Sequence, residues 1–156
     1  MTRLASRSVL LLIALILACS PKQETPEKNT VNIGNGSLEI SNGWARPAHA
    51  RMMTAAYFTI RNNETFADTL LSVSYANADD TQIHESYEAD GGMMGMRPVG
   101  AVPIPANSGV ELKPGGIHVM IIRPEMNLSE GDSIVLELAF SSNELQLIRI
   151  PVKASN

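Results

Sequence analysis

The sequence predicts an all-β domain, an antiparallel sandwich or barrel, and three observations carry that expectation. Apolar side chains recur at every second residue in short runs. Those runs are cut at close spacing by glycine, proline and asparagine turn signals. No stretch holds a helical period over a convincing length. About eight such runs follow one another, the signature of a sandwich or barrel. With 156 residues the chain can bury one core, not two comfortable ones.

The first segment stands apart from that pattern. In "MTRLASRSVLLLIALILACS" two basic residues, Arg3 and Arg7, precede an apolar run from Val9 to Ala18. A basic start, a short apolar stretch and a small residue before a cleavage point read as a secretory signal over residues 1–18. The run falls short of the roughly 20 residues that span a bilayer as a helix. Its ending, "ILAC", resembles the lipobox of bacterial lipoproteins, which makes Cys19 the lipidated mature N-terminus. The expected location is the periplasmic or cell-surface side of a bacterial membrane, held through acyl chains on Cys19. Residues 19–36 continue as a polar stretch with Pro21 and Pro26, a flexible tether. The folded domain is expected over residues 37–156.

Within that domain, "AAYFTIRNN" alternates Ala56, Phe58 and Ile60 against Tyr57, Thr59 and Arg61 and stops at Asn62-Asn63. "DTLLSVSYA" and "TQIHESYEA" follow, the second setting Ile83 out of phase with Gln82 and His84. "GVELKPGG" is a strand running into a Pro-Gly turn, and "GIHVMIIRP" starts directly after it. "DSIVLELAF" places Ile134, Leu136, Leu138 and Phe140 on one face, and "LQLIRIPVK" closes the pattern.

Charge and cysteine usage exclude several function classes. Cleavage before Cys19 removes Arg3 and Arg7 from the 12 basic residues and none of the 16 acids, so the mature chain carries 10 against 16, a net charge of −6. Nucleic acid rewards a basic face, and this chain lacks one. A single cysteine excludes internal disulfides, CxxC redox chemistry and cysteine-built zinc sites. A metal site here must use histidine, methionine or carboxylates.

The histidines are His49, His84 and His118, and after the start residue the methionines are Met52, Met53, Met93, Met94, Met96, Met120 and Met126. In "GIHVMIIRP", His118 and Met120 share one strand face. Met93, Met94 and Met96 crowd into "GGMMGMRP", which the glycines keep from offering a regular packed face, so it reads as a loop or strand edge. Each piece also has an ordinary reading, since strand histidines commonly face solvent and methionines commonly fill core gaps. Together, imidazole and thioether form a borderline-to-soft donor set, and thioethers select Cu(I). His49, in "RPAHARMM", reads as a solvated loop residue. Met52 and Met53 flank the site or fill the barrel end. Trp44 reads as core or site wall. Glu85, Glu88 and Asp90 read as a solvated face, able to orient the free nitrogen of His84.

The order His84, Met96, His118, Met120 resembles the fingerprint of the periplasmic PCuAC copper chaperones, with Met96 and His118 twenty-two positions apart and "HVM" closing the motif. The surroundings match as well: "WARP" at Trp44, "AAYFTIRN" at Ala55, "IHES" at Ile83, "MRPV" at Met96 and "LKPGGIHVM" at Leu112. The resemblance covers residues 37 to 152 or so. One departure is the eleven residues between His84 and Met96, one more than the family's usual spacing; the extra residue falls in "DGGMMG" and leaves Met93 and Met94 as alternative ligands. The resemblance implies a cupredoxin-like Greek-key β-barrel with His84, Met96, His118 and Met120 around one Cu(I). It implies a metallochaperone that hands copper to an apoprotein, a cytochrome c oxidase subunit or its assembly factor. Copper buffering without a dedicated client uses the same ligands. A blue-copper electron-transfer centre needs a cysteine thiolate that this domain lacks. No paired carboxylates, nucleophile triad or phosphate loop suggests an enzyme. A sandwich whose methionines merely pack is the remaining reading.

Overall fold

The computed structural model describes residues 31–32 and 37–154. The proposed signal, Cys19 and most of the tether lie outside these residues. The described chain is all-β, as its alternation predicts, with eleven strands and no helix. They are β1 (Val31–Asn32), β2 (Leu38–Ala45), β3 (Thr54–Asn62), β4 (Asp68–Ser74), β5 (Ala78–Glu88) and β6 (Met94–Pro98). The rest are β7 (Val102–Ile104), β8 (Ser108–Leu112), β9 (Ile117–Pro124), β10 (Ser133–Phe140) and β11 (Leu145–Pro151). β1 falls inside the stretch read as tether and pairs with β11.

Two antiparallel sheets form the sandwich. One runs β1-β11-β10-β4-β7; the other runs β2-β3-β9-β5-β6, with β8 also on β3. Their facing sides bury Phe58, Ile60, Ile83, Val119 and Ile121 from one sheet and Leu70, Leu136, Leu138, Ile148 and Ile150 from the other. Period-two alternation makes this possible: each strand sends every second side chain into the core. Asn62 is buried among them because its amide donates to Phe66 O and Ile104 O and accepts from the Glu64 N–H, which leaves no polar atom of the side chain without a partner.

The Pro-Gly turn expected in "LKPGG" is present, the Gly116 N–H donating to Lys113 O at 3.1 Å, but it does not reverse the chain. β8 and β9 both run antiparallel to β3, pairing Phe58 with Leu112 and Ala56 with Val119. They therefore point the same way along one edge of β3, and Lys113–Gly116 bulges out between them without turning the chain back. The Lys113 N–H donates to Ile117 O at 2.7 Å and closes the bulge. Gly115 takes φ +75°, a left-handed conformation that side-chain-bearing residues adopt only with strain.

Candidate metal centre

Because Val119 and Ile121 face the core, His118 and Met120 must face outward from β9. On β5, Ile83 is the core-facing residue and so His84 faces outward too. The register sets His84 directly across from His118 and Gln82 across from Met120. β6 adds Met96 opposite Ser86, on the same side of the sheet. The four residues thus gather on the outer face of one sheet, three adjacent strands contributing.

The two imidazoles are held differently, and each leaves one nitrogen available. His118 is 4 % exposed, and its Nδ1 lies 3.0 Å from Gly116 O. A carbonyl only accepts, so Nδ1 carries the proton and Nε2 presents its lone pair. His84 Nε2 lies 2.8 Å from Gln82 Oε1, while Gln82 Nε2 donates to Asp80 Oδ2 at 2.7 Å. The carboxylate fixes the amide's direction, the amide oxygen fixes the ring's tautomer, and the free lone pair falls on Nδ1. That Nδ1 is buried and has no hydrogen-bond partner. A buried acceptor left unpaired costs stability, and a metal ion relieves that cost. The ring centroids are 6.0 Å apart, inclined at 57°. With metal–nitrogen bonds of about 2 Å, two imidazoles on one ion have centroids about 5–6 Å apart, a spacing with which this pair is compatible. Burial first, and the neighbouring His118 second, hold the His84 pKa below its ordinary 6.5, which favours the neutral ring.

Beside His118 lies a cleft of about 420 Å³ whose lining includes Met53, Tyr57, Ser86, Met96, His118 and Met120, while His84 lies behind it, across the strand pair from His118. Ser86, directly across from Met96, is the small residue between the two hairpin strands at this face of the cleft. Met96 itself is 59 % exposed, in contrast to the buried His118 that lines the same cleft. Pro114 and Gly115, from the bulge between β8 and β9, form another wall. Among the described residues no three His, Cys, Asp or Glu side chains converge, so the donors available to complete a site are thioethers. Two neutral nitrogens with two sulfurs suit a soft monovalent ion and make a poor cage for calcium or magnesium.

Met93 ends the turn after β5, where its carbonyl accepts from the Ala89 N–H, and Met94 stands opposite Glu88 toward the hairpin tip. Neither lines the cleft. His49 lines a separate hollow with Asn127 and Leu128. The acids beside His84 do not orient it. Glu85 projects to the other side of β5, where Arg97 Nε donates to it at 2.6 Å, and Gln82 holds the ring instead. The signal for Gln82 lies in its spacing, since Gln82-x-His84 repeats the same-face interval of His118-x-Met120.

The aromatic wall continues away from the imidazoles. The Tyr57 ring centroid is 6.4 Å from that of His118 and 4.6 Å from that of Trp44. The Arg46 guanidinium sits over the Tyr57 ring, 5.8 Å from its centroid. Burial raises the Tyr57 phenol pKa, and Arg46 opposes that rise.

Residues 38–152 match the family model described as "Putative lipoprotein LpqE-like". A similar curated protein is "Putative lipoprotein Lxx21020" of Leifsonia xyli, 28% identical over 116 residues, which are 74% of this chain and 69% of that one. "Uncharacterized protein RP573" of Rickettsia prowazekii is 26% identical over 117 residues, 72% of this chain and 65% of that one. Among solved structures, the apo PCuAC domain from PmoF1 superposes with a TM-score of 0.67 at 22% identity, covering 80% of this chain and all of that domain. The Cu(I) form of DR1885 from Deinococcus radiodurans superposes with a TM-score of 0.57 at 25% identity, over 78% of this chain and 83% of that one. The fold is that of the cupredoxin-like PCuAC domains.

Proposed function

Since the chain belongs to the LpqE-like family of PCuAC copper-chaperone domains, we propose that it is an extracytoplasmic copper metallochaperone that binds Cu(I) through His84 Nδ1, His118 Nε2 and the sulfurs of Met96 and Met120. One observation supports this reading above the rest. Two facing imidazoles each have one nitrogen tied to a protein acceptor and the other left free, and two thioethers lie on the same face. The similarity to DR1885, solved in a Cu(I) form, supports copper as the cargo.

Four neutral donors leave the ion's charge uncompensated, and none can be displaced by protonating a thiolate. The domain has no cysteine, so the copper is carried and not cycled through a blue-copper centre. Cys19, lipidated, tethers the domain to the outer side of the membrane, which the lipoprotein name of the family supports. The client is an apoprotein with a copper site, a cytochrome c oxidase subunit or its assembly factor. Delivery proceeds by exchange, a client ligand entering as one thioether leaves.

The test is a Cu(I) titration of the full chain in detergent against a colorimetric chelator, with Cys19→Ser to remove competition from an unmodified thiol. One tightly held equivalent, lost in His118→Ala/Met120→Ala, is the expected result. Binding that survives the double substitution overturns the site. A loaded protein that keeps its copper when mixed with the apo oxidase subunit or assembly factor is a buffer and not a chaperone.

A further inference from the structure

The cleft contains a sulfur that the four-ligand set does not use. Met53 lines it together with Met96, His118 and Met120. The register explains why. Ala55 pairs with Met120 across β3 and β9, and Met53 lies two residues before Ala55, on the same outward face. Met53 is therefore a diagonal neighbour of Met120, within reach of a long flexible side chain. Ala55, directly across from Met120, is too small to fill the space beside the two thioethers.

The positions of these sulfurs differ in access. Met120 is half-buried, whereas Met53 is 66 % exposed and stands at the mouth. A methionine so exposed gains little from packing, so burial does not explain the position. Its backbone, by contrast, is firmly placed. Arg51, two residues earlier, has its N–H on Pro124 O at 2.8 Å, and its guanidinium is paired with Asp79 at 2.9 Å. Arg123 Nε holds the other oxygen of Asp79 at 2.7 Å. The loop that presents Met53 is thus pinned to the end of β9, the strand that carries His118 and Met120.

We propose that Met53 is a transit ligand: an outer thioether that takes Cu(I) from Met120 by ligand exchange and holds it at the cleft mouth before a client's donor does. The inference rests on the copper reading above. The exchange breaks one Cu–S bond as another forms, with no change in oxidation state and no proton moved. The soft sulfur suits the soft ion at each stage, and the low cost of rearranging an unbranched side chain suits fast exchange.

The experiment uses the full Cys19→Ser chain in detergent, with methionine methyl groups labelled for NMR and Ag(I) as the closed-shell probe for Cu(I). Met53, Met96 and Met120 methyl signals are expected to shift together at one equivalent, with Met52 and Met126 unmoved. Met53→Leu, which keeps the volume and removes the sulfur, is expected to slow Cu(I) transfer to a chelator several-fold while leaving the equilibrium affinity within about a factor of two, an energy change well under 1 kcal/mol. A Met53 methyl that stays fixed while those of Met96 and Met120 shift overturns this inference and leaves the copper site standing. Transfer from Met53→Leu at the parent rate overturns it as well. Silence from every methionine overturns both readings.

Discussion

Gln82 is the residue on which the imidazole pair depends most without touching the ion. Its amide fixes the His84 tautomer and is itself fixed by Asp80. Replacing it with leucine frees the ring to rotate and to swap its protonated nitrogen. Partners of this kind are worth about 10–100-fold in metal affinity, and Gln82→Leu is expected to weaken Cu(I) by that order in chelator competition. A second prediction concerns protons. The folded His84 pKa lies below 6.5, so as pH falls through 6.5 the unfolded chain takes up this proton before the folded one does. Stability contributed by His84 is full above 6.5 and is lost as pH drops toward the folded value. An NMR titration of the apo protein should place the His84 ring below 6.5. A value above 6.5 contradicts the burial argument. The metal-free His84 ring should accordingly stay neutral to lower pH than an ordinary imidazole.

At the scale of elements, the β8–β9 bulge sets one wall of the cleft and supplies the carbonyl that orients His118. Gly115→Ala forces a side chain into φ +75°, although nothing crowds the position. The cost is expected at about 1–2 kcal/mol in denaturant melts, with a parallel loss of Cu(I) affinity as Gly116 O shifts. Unchanged stability would mean the bulge tolerates another path. This element also marks the limit of what the residues alone disclose. Alternation reveals β3, β9, β10 and β11, because one buried face imposes a two-residue period. "LKPGG" reads as a turn but does not disclose that both flanking strands pair with β3, because proline and glycine specify local conformation and not the strand to which the next segment pairs. β7 is too short at three residues to show a period. On the site side, His118-x-Met120 is legible on a single strand. That His84 faces His118 rests on the β5–β9 register, which no local pattern encodes.

For the molecule as a whole, Asp68 joins the start of β4 to the turn between β10 and β11. It is buried and accepts from Ser141 Oγ at 2.6 Å, Ser142 Oγ at 2.8 Å, Thr69 N at 2.7 Å and Ser142 N at 3.2 Å. Burial pushes its carboxyl pKa up, but the hydrogen bonds from Ser141, Ser142 and Thr69 together outweigh it and hold the group below 3.8. Its stabilising contribution is present above the unfolded value and lost as pH falls through the lower folded one. Asp68→Ala strands four donors and is expected to cost about 3 kcal/mol by chemical denaturation at neutral pH, without altering Cu(I) affinity, since it belongs to the opposite sheet. A coupled loss of affinity would show that the two sheets are not independent supports.

The proposed site pairs hydrogen-bonded imidazoles with unbranched thioethers, one half-buried at Met120 and one exposed at Met96, and that division bears on the thermodynamics of loading. The β5–β9 ladder and the bonds to Gln82 and Gly116 freeze both rings before any ion arrives. The conformational entropy lost on binding therefore falls on the methionines, about 1.5–2 kcal/mol for each side chain immobilised. Losing one sulfur to a client returns that entropy to the protein. On the proposed copper site, release is therefore expected from the methionine side, with the histidine pair the last part to let the ion go.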